Sequence, residues 1–143
     1  MRLTYAAAAL LALTGCSGLT GLSSRDAVAS AASPDGRIRA ILLETNGGAT
    51  TSYGYEIELH SALQGGEMPV PVGTLYGAVR SACSYGLNLQ WLSSDELAVE
   101  FLEADKVVLP DKAVVSGKTV RITSRAGVSD ENAPCGGMLA SMG

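Results

Sequence analysis

The stretch 53–60, Tyr-Gly-Tyr-Glu-Ile-Glu-Leu-His, constrains the fold more than any other. Tyr53, Tyr55, Ile57 and Leu59 alternate with Gly54, Glu56, Glu58 and His60. A period of two places one set on each face of a β-strand, whereas a helix would scatter both sets around its circumference. One face is apolar and the other is acidic. Such a strand belongs to a sheet that covers a core on one side and meets water on the other.

Other segments share the period. Leu87, Leu89 and Trp91 alternate with Asn88 and Gln90. Ser93-Ser94-Asp95-Glu96 reads as a turn, and Leu97, Val99 and Phe101 (or Ala98, Glu100 and Leu102 on the other face) as the return strand of a hairpin with a four-residue loop. Ser33-Pro34-Asp35-Gly36 is a strong turn signal, because Pro presets φ and Gly accepts the closing conformation. It feeds a strand at 37–44, in which Ile38, Ala40 and Leu42 alternate with Arg37, Arg39 and Ile41. A weaker strand is expected at 28–32, and a short one at 107–109 stops at Pro110. A last hairpin runs from 113–116 through Gly117-Lys118 to 119–124. Residues 61–74, with Gly65-Gly66, Pro69 and Pro71, are predicted to be a loop or an irregular edge. Residues 75–84 have no clear period, and from Arg125 the chain is polar and Gly-rich. With no helical pattern beyond two turns after residue 16, the expected fold is all-β. It is a small antiparallel β-sandwich or half-open barrel of roughly six to eight strands. A single Ser-Pro-Asp-Gly copy argues against a propeller, which needs about four blades or more.

The first sixteen residues do not fit that pattern. Arg2 precedes an apolar run, Tyr5-Ala6-Ala7-Ala8-Ala9-Leu10-Leu11-Ala12, which is short of the roughly 20 residues that span a bilayer. It ends in Leu13-Thr14-Gly15-Cys16, which resembles a bacterial lipobox. The resemblance implies that 1–15 are a cleaved signal peptide and that the thiol of Cys16 receives a diacylglyceryl group. Cys16 then becomes an acylated N-terminus and the protein a membrane partner through its acyl chains. Stable anchoring takes more than one chain, since each buried methylene contributes about 0.8 kcal/mol. Ser17 is the kind of residue that permits export to an outer membrane. The expected location is therefore the bacterial cell envelope, on the outer membrane facing the periplasm where the cell has one. Residues 16–26, rich in Ser and Gly, are predicted to be the lipidated N-terminus and a flexible tether, about 17 Å long on average for ten residues. The remainder, 27–143, is predicted to be a single β-rich domain.

Charge narrows the partners. The chain has 10 basic and 14 acidic residues. Loss of Arg2 leaves 9 − 14 = −5 for the mature protein. No basic run or stripe is present, which disfavours nucleic acid.

Ser33-Pro34-Asp35-Gly36, the following strand, Gly48-Ala49-Thr50-Thr51 and the hairpin around Trp91 together resemble a family of small, uncharacterised bacterial envelope proteins. The likeness covers about 33–102. Many members have Cys where this chain has Gly47. The resemblance implies a β domain and carries no activity.

Few residues point to chemistry. His60 is the single histidine, and no Gly-x-Ser-x-Gly elbow or His-Glu-x-x-His motif accompanies it. Glu56 and Glu58 share its strand face. A paired-carboxylate site is conceivable there, and a solvated polar face is the simpler account. Asp95, Glu96, Glu100, Glu103 and Asp105 lack the spacing of a calcium loop; they are expected to form a charged edge that opposes aggregation. Gly48-Ala49-Thr50-Thr51 is either a contact loop or a tight bulge whose Thr hydroxyls satisfy the backbone. No catalytic residue, cofactor site or metal site is assigned. With Cys16 lipidated, Cys83 and Cys135 remain, an even number in an oxidising compartment, and are expected to form a disulfide. The alternative is two free thiols. The expected function is a non-catalytic binding or interaction module that recognises an envelope protein or a cell-wall component. A structural or accessory lipoprotein is the alternative, with a small hydrolase behind both.

Overall fold

A computed structural model describes residues 23–63, 65 and 67–130. Among these are nine strands and no helix: β1 (Ser24–Ala32), β2 (Ile38–Asn46), β3 (Gly54–Ser61), β4 (Val70–Tyr76), β5 (Leu87–Ser93), β6 (Glu96–Phe101), β7 (Lys106–Val108), β8 (Lys112–Val115) and β9 (Lys118–Ala126). They form a five-stranded sheet of order β1-β2-β3-β4-β7 and a four-stranded sheet of order β5-β6-β9-β8. The two sheets face each other as a small sandwich. Alternation selects the core: Ile38, Ala40, Leu42, Tyr55, Ile57 and Leu59 from one sheet meet Leu87, Leu97, Val99 and Val120 from the other. Burial of such side chains is the main stabilising term, at about 1.5–3 kcal/mol for each large one.

Three details differ from the sequence expectation. The strand count is nine because β4 exists in addition to the expected strands. Pro69 and Pro71 argued for a loop at 61–74, yet Pro71 lies inside β4. It is tolerated because β7 pairs only with Thr74, Leu75 and Tyr76, so β4 is still an edge at Pro71. A register shift in the β3–β4 ladder lies between Ile57 and Glu58, and Glu58 is the residue paired with Pro71. Second, the sandwich is not purely antiparallel: β6 and β9 run parallel, Glu96 opposite Arg121 through Phe101 opposite Ala126. The chain leaves β6, visits the other sheet as β7, and returns through β8, so β9 arrives in the direction of β6. Third, the ordered domain starts before residue 27. Ser24, Arg25 and Asp26, assigned to the tether, pair with Asn46, Thr45 and Glu44 in β1–β2.

The sandwich has two ends. One carries three tight turns, at 33–37, 94–95 and 116–117. The Ser33 carbonyl accepts from Gly36 N–H at 2.8 Å, with Gly36 at φ +69°, and the Ser33 hydroxyl accepts from Ile38 N–H at 3.1 Å. Ser116 and Gly117 both have positive φ (49° and 73°), as a two-residue hairpin of matching twist requires. Lys118 Nζ lies 2.7 Å from Asp35 Oδ2 and joins two of these turns across the sheets. At the adjoining edges the Trp91 indole N–H donates to the Ala31 carbonyl at 3.0 Å, linking β5 to β1. The described residues of the β3–β4 connection, 62–63, 65 and 67–69, lie at the turn end too, with Ala62 N–H donating to the Arg37 carbonyl at 2.8 Å. The opposite end carries the loops 47–53, the crossover 77–86, and 102–105.

Asp35 gives a pH prediction. Its carboxyl is held well below the ordinary 3.8, first by the hydrogen bond from Lys118, then by the Ser33 hydroxyl and Arg37 N–H. A carboxyl depressed in the folded state adds stability that is present above its unfolded value and fades as pH falls through the folded one. Asp35→Asn is therefore expected to lower thermal stability at pH 7 and to flatten the further loss below about pH 4, so that the two proteins converge in acid. Melting curves from pH 2 to 7 check this; parallel acid limbs in both proteins would count against it.

Candidate binding surface

The outer face of the five-stranded sheet gathers the residues that suggested chemistry. Glu56, Glu58 and His60 lie side by side along β3. Arg25 reaches from β1 across β2 to meet them: Nε is 2.7 Å from Glu56 and Nη2 is 2.7 Å from Glu58. His60 Nε2 is 3.0 Å from the other Glu58 oxygen. Leu43, paired with Glu56 in the β2–β3 ladder, is buried on this outward face, which fits the stem of Arg25 lying over it. Burial alone would raise the Glu58 carboxyl, but hydrogen bonds and charge from Arg25 and His60 outweigh it and leave it below its ordinary value. A carboxylate so held is a poor proton donor near neutral pH. The arrangement is an ion-paired strand face. Among the described residues no group of three or more His, Cys, Asp or Glu side chains could hold a metal ion.

The acidic cluster is dispersed by the fold. Asp95 sits in the β5–β6 turn, hydrogen-bonded by the Ser93 hydroxyl at 2.6 Å, whereas Glu103 and Asp105 lie at the other end. The charged-edge reading fails for Glu96 and Glu100, because β6 is an interior strand between β5 and β9. Glu100 is only 6% exposed. It is held by Asn88 at 2.9 Å and by Arg125 at 2.9 Å, from the strands on either side. This is a buried carboxylate with its partners in place rather than a solubilising edge.

The loop end has a different character. Gly48 takes φ +113°; its N–H donates to Asn46 Oδ1 at 2.9 Å. Its carbonyl accepts from both the N–H and the hydroxyl of Thr51, each at 3.1 Å. The Gly-Ala-Thr-Thr segment is thus a tight turn in which a Thr hydroxyl satisfies backbone. It also borders a shallow groove of about 420 Å³ lined by Ser24, Thr45, Asn46, Thr51, Ser52 and Tyr76 among others. Gly54 also lines the groove, and a Cβ there would come within 2.5 Å of Thr45 Oγ1.

Four tyrosines meet at this end, and they are all the tyrosines of the chain beyond Tyr5. The Tyr55 hydroxyl donates to Glu44 at 2.8 Å and accepts from Gly86 N–H at 3.2 Å. Burial first, and then Glu44, pushes its ionisation far above the ordinary range, so it stays a neutral hydrogen-bond donor. Arg80 Nη1 lies 2.6 Å from the same Glu44 oxygen. Its guanidinium stands 4.0 Å from the Tyr53 ring centroid and 5.6 Å from that of Tyr85. The Tyr76 hydroxyl accepts from Ser52 N–H at 3.2 Å. This network docks the crossover 77–86 onto β2 and β3 and leaves the rings of Tyr53 and Tyr76 partly in solvent. Sequence reasoning missed it, because Glu44, Tyr53, Tyr76, Arg80 and Tyr85 share no period and meet only when the sheets stack. The available signal was that the tyrosines fall at strand ends and in loops.

Cys83 lies within this crossover and is disulfide-bonded. Cys16 and Cys135 lie outside the described residues, so the lipid attachment at Cys16 and the pairing of Cys83 with Cys135 stand as proposals. No protein-family model, curated protein or solved structure matches this chain.

Proposed function

We propose that the chain is a lipid-anchored, non-catalytic binding module of the bacterial cell envelope, and that its loop end is the recognition surface. The observation that carries this is the convergence of Tyr53, Tyr76, Tyr85 and Arg80 beside a groove of Ser, Thr and Asn side chains. Tyrosine offers a large amphipathic contact area for little conformational entropy, and Ser, Gly and Asn loops adapt their hydrogen bonds to a partner; binding loops on β-sandwiches favour this composition. The Arg80–Glu44–Tyr55 network fixes the platform in advance, which lowers the ordering cost of binding. The anchor and the envelope location rest on the likeness of Leu13-Thr14-Gly15-Cys16 to a lipobox. The outer membrane, facing the periplasm, is favoured by Ser17 through the same likeness. A purely structural lipoprotein would have less use for Tyr53 and Tyr76, 37% and 44% exposed on one end.

A photo-cross-linking residue at position 50, in intact cells, tests this reading. Discrete adducts are expected, and Tyr53→Ala with Tyr76→Ala is expected to abolish them. His60→Ala with Glu58→Gln, on the outer sheet face, is expected to leave them unchanged. Adducts that survive the tyrosine pair but vanish with the His60 pair, with circular dichroism unaltered, would overturn it.

A further inference from the structure

The polypeptide enters the domain at the same end as the candidate surface. Ser24 pairs with Asn46 at the start of the 47–53 loop, and Ser23 and Ser24 themselves line the groove. If Cys16 is the acylated terminus, 24 − 16 = 8 residues separate the membrane surface from the first strand. Fully extended, they reach about 28 Å whatever path they take. The long axis of the sandwich is set by its nine-residue strands β1 and β2, about 30 Å at 3.3 Å per residue. Turning the domain over, so that the turns at 33–37, 94–95 and 116–117 meet the lipid, would lift Ser24 about 30 Å from the surface. At that height the connection would be drawn to its full reach, against about 16 Å on average for a flexible coil of eight residues. The loop end is therefore favoured on the side of the domain nearest the bilayer.

What that end presents suits a membrane interface. Tyr53, Tyr76, Val79 and Leu102 are exposed there, at 37–49%. Tyrosine places an apolar ring in the boundary region and its hydroxyl among headgroups. Arg25 and Arg80 are committed to Glu56, Glu58 and Glu44, and the mature chain is net acidic. These features favour a zwitterionic headgroup layer over an anionic one.

We propose that the loop end rests on the headgroup layer of the membrane that holds the acyl chains, with Tyr53, Tyr76, Val79 and Leu102 at the contact. This deepens the binding-module reading and rests on acylation at Cys16. It makes the first partner of that surface the lipid itself. Any further ligand then reaches the groove from the membrane plane.

The acylated full-length mature protein, reconstituted into phosphatidylcholine vesicles brominated at acyl carbons 6 and 7, tests it. Trp91, near the turn end, is a built-in reference and is expected to keep its emission. Tyr53→Trp and Tyr76→Trp are each expected to add emission that brominated lipid reduces at least twofold. A second measurement needs no substitution: hydrogen exchange of amides 47–53 and 77–80 is expected to slow in vesicles relative to detergent, with 35–36 and 116–117 unchanged. Admixing anionic phosphatidylglycerol is expected to weaken the protection. Absence of both quenching and protection in protein shown by mass to be acylated overturns the lipid contact. If in addition the loop end binds isolated peptidoglycan and loses that binding in Tyr53→Ala with Tyr76→Ala, the partner is a wall component and the binding-module reading stands alone. If the mass shows no lipid on Cys16, the anchor fails, and the orientation argument with it.

Discussion

Replacing Cys16 by serine is expected to move the protein from the membrane fraction to the soluble fraction, or to leave it as an unprocessed precursor. On the lipobox likeness Cys16 would be both the acylation site and the cleavage position, so one substitution would remove both steps. The magnitude follows from hydrocarbon transfer. Each methylene contributes about 0.8 kcal/mol, and a single chain holds a protein only marginally, with a binding constant of about 10⁴ M⁻¹. A second and third chain make release negligible. Loss of all chains should therefore change the membrane-bound fraction by more than about tenfold. The loop-end contact proposed above is too small to compensate. Fractionation with intact-mass measurement checks this. A membrane-extracted protein whose mass begins at residue 16 with no added lipid would show the anchor to be wrong.

The second large effect concerns Cys83. Its crossover is tied down twice, by the disulfide and by Arg80, which bonds Glu44 and stacks on Tyr53. Pairing with Cys135 would close a loop of 135 − 83 = 52 residues. In the chain-entropy model such a bridge stabilises the fold by roughly 4 kcal/mol, and often less in practice. Against a typical total of about 5–15 kcal/mol for a small domain, that is a large share. Cys83→Ser is expected to lower the melting temperature by about 15 °C. The crossover is expected to stay docked through Arg80 and Tyr55, so the circular dichroism of the remaining fold at 20 °C should be unchanged. Non-reducing peptide mapping is expected to recover one linked pair, Cys83 with Cys135. Alkylation of both residues in unreduced, denatured protein would rule the bridge out.

The strand pattern was legible because alternation is a local property. Tyr55, Ile57 and Leu59 need only a sheet above them to be buried, and β3 forms as their spacing implies. The same holds for the Leu87–Phe101 hairpin and for the Ser33-Pro34-Asp35-Gly36 turn, whose hydroxyl, carboxylate and left-handed glycine satisfy one another within six residues. Proline misled the reading of 61–74. Its cost in a sheet depends on whether the missing N–H faces a neighbour, and at Pro71 the neighbouring β7 has not yet begun. Glu100 misled for a related reason. Acidic residues stand three and four positions away, at Glu103 and Glu96, but burial is decided by β9, which lies beside β6 only because the chain crosses to the other sheet and returns.

The sequence by itself determined the all-β class, the one-sided character of the main strands and the positions of the tight turns. Each depends on residues within a few positions of one another, where steric and hydrogen-bonding preferences act directly. Only the tertiary structure decided which strands neighbour each other, that β6 and β9 run parallel, and that Glu44, Tyr53, Tyr55, Arg80 and Tyr85 form one network at the end where Tyr76 bonds Ser52. Those residues are up to 41 positions apart, from 44 to 85. No local preference brings them together; the stacking of two sheets over one core does, by burying the faces that alternation had already sorted.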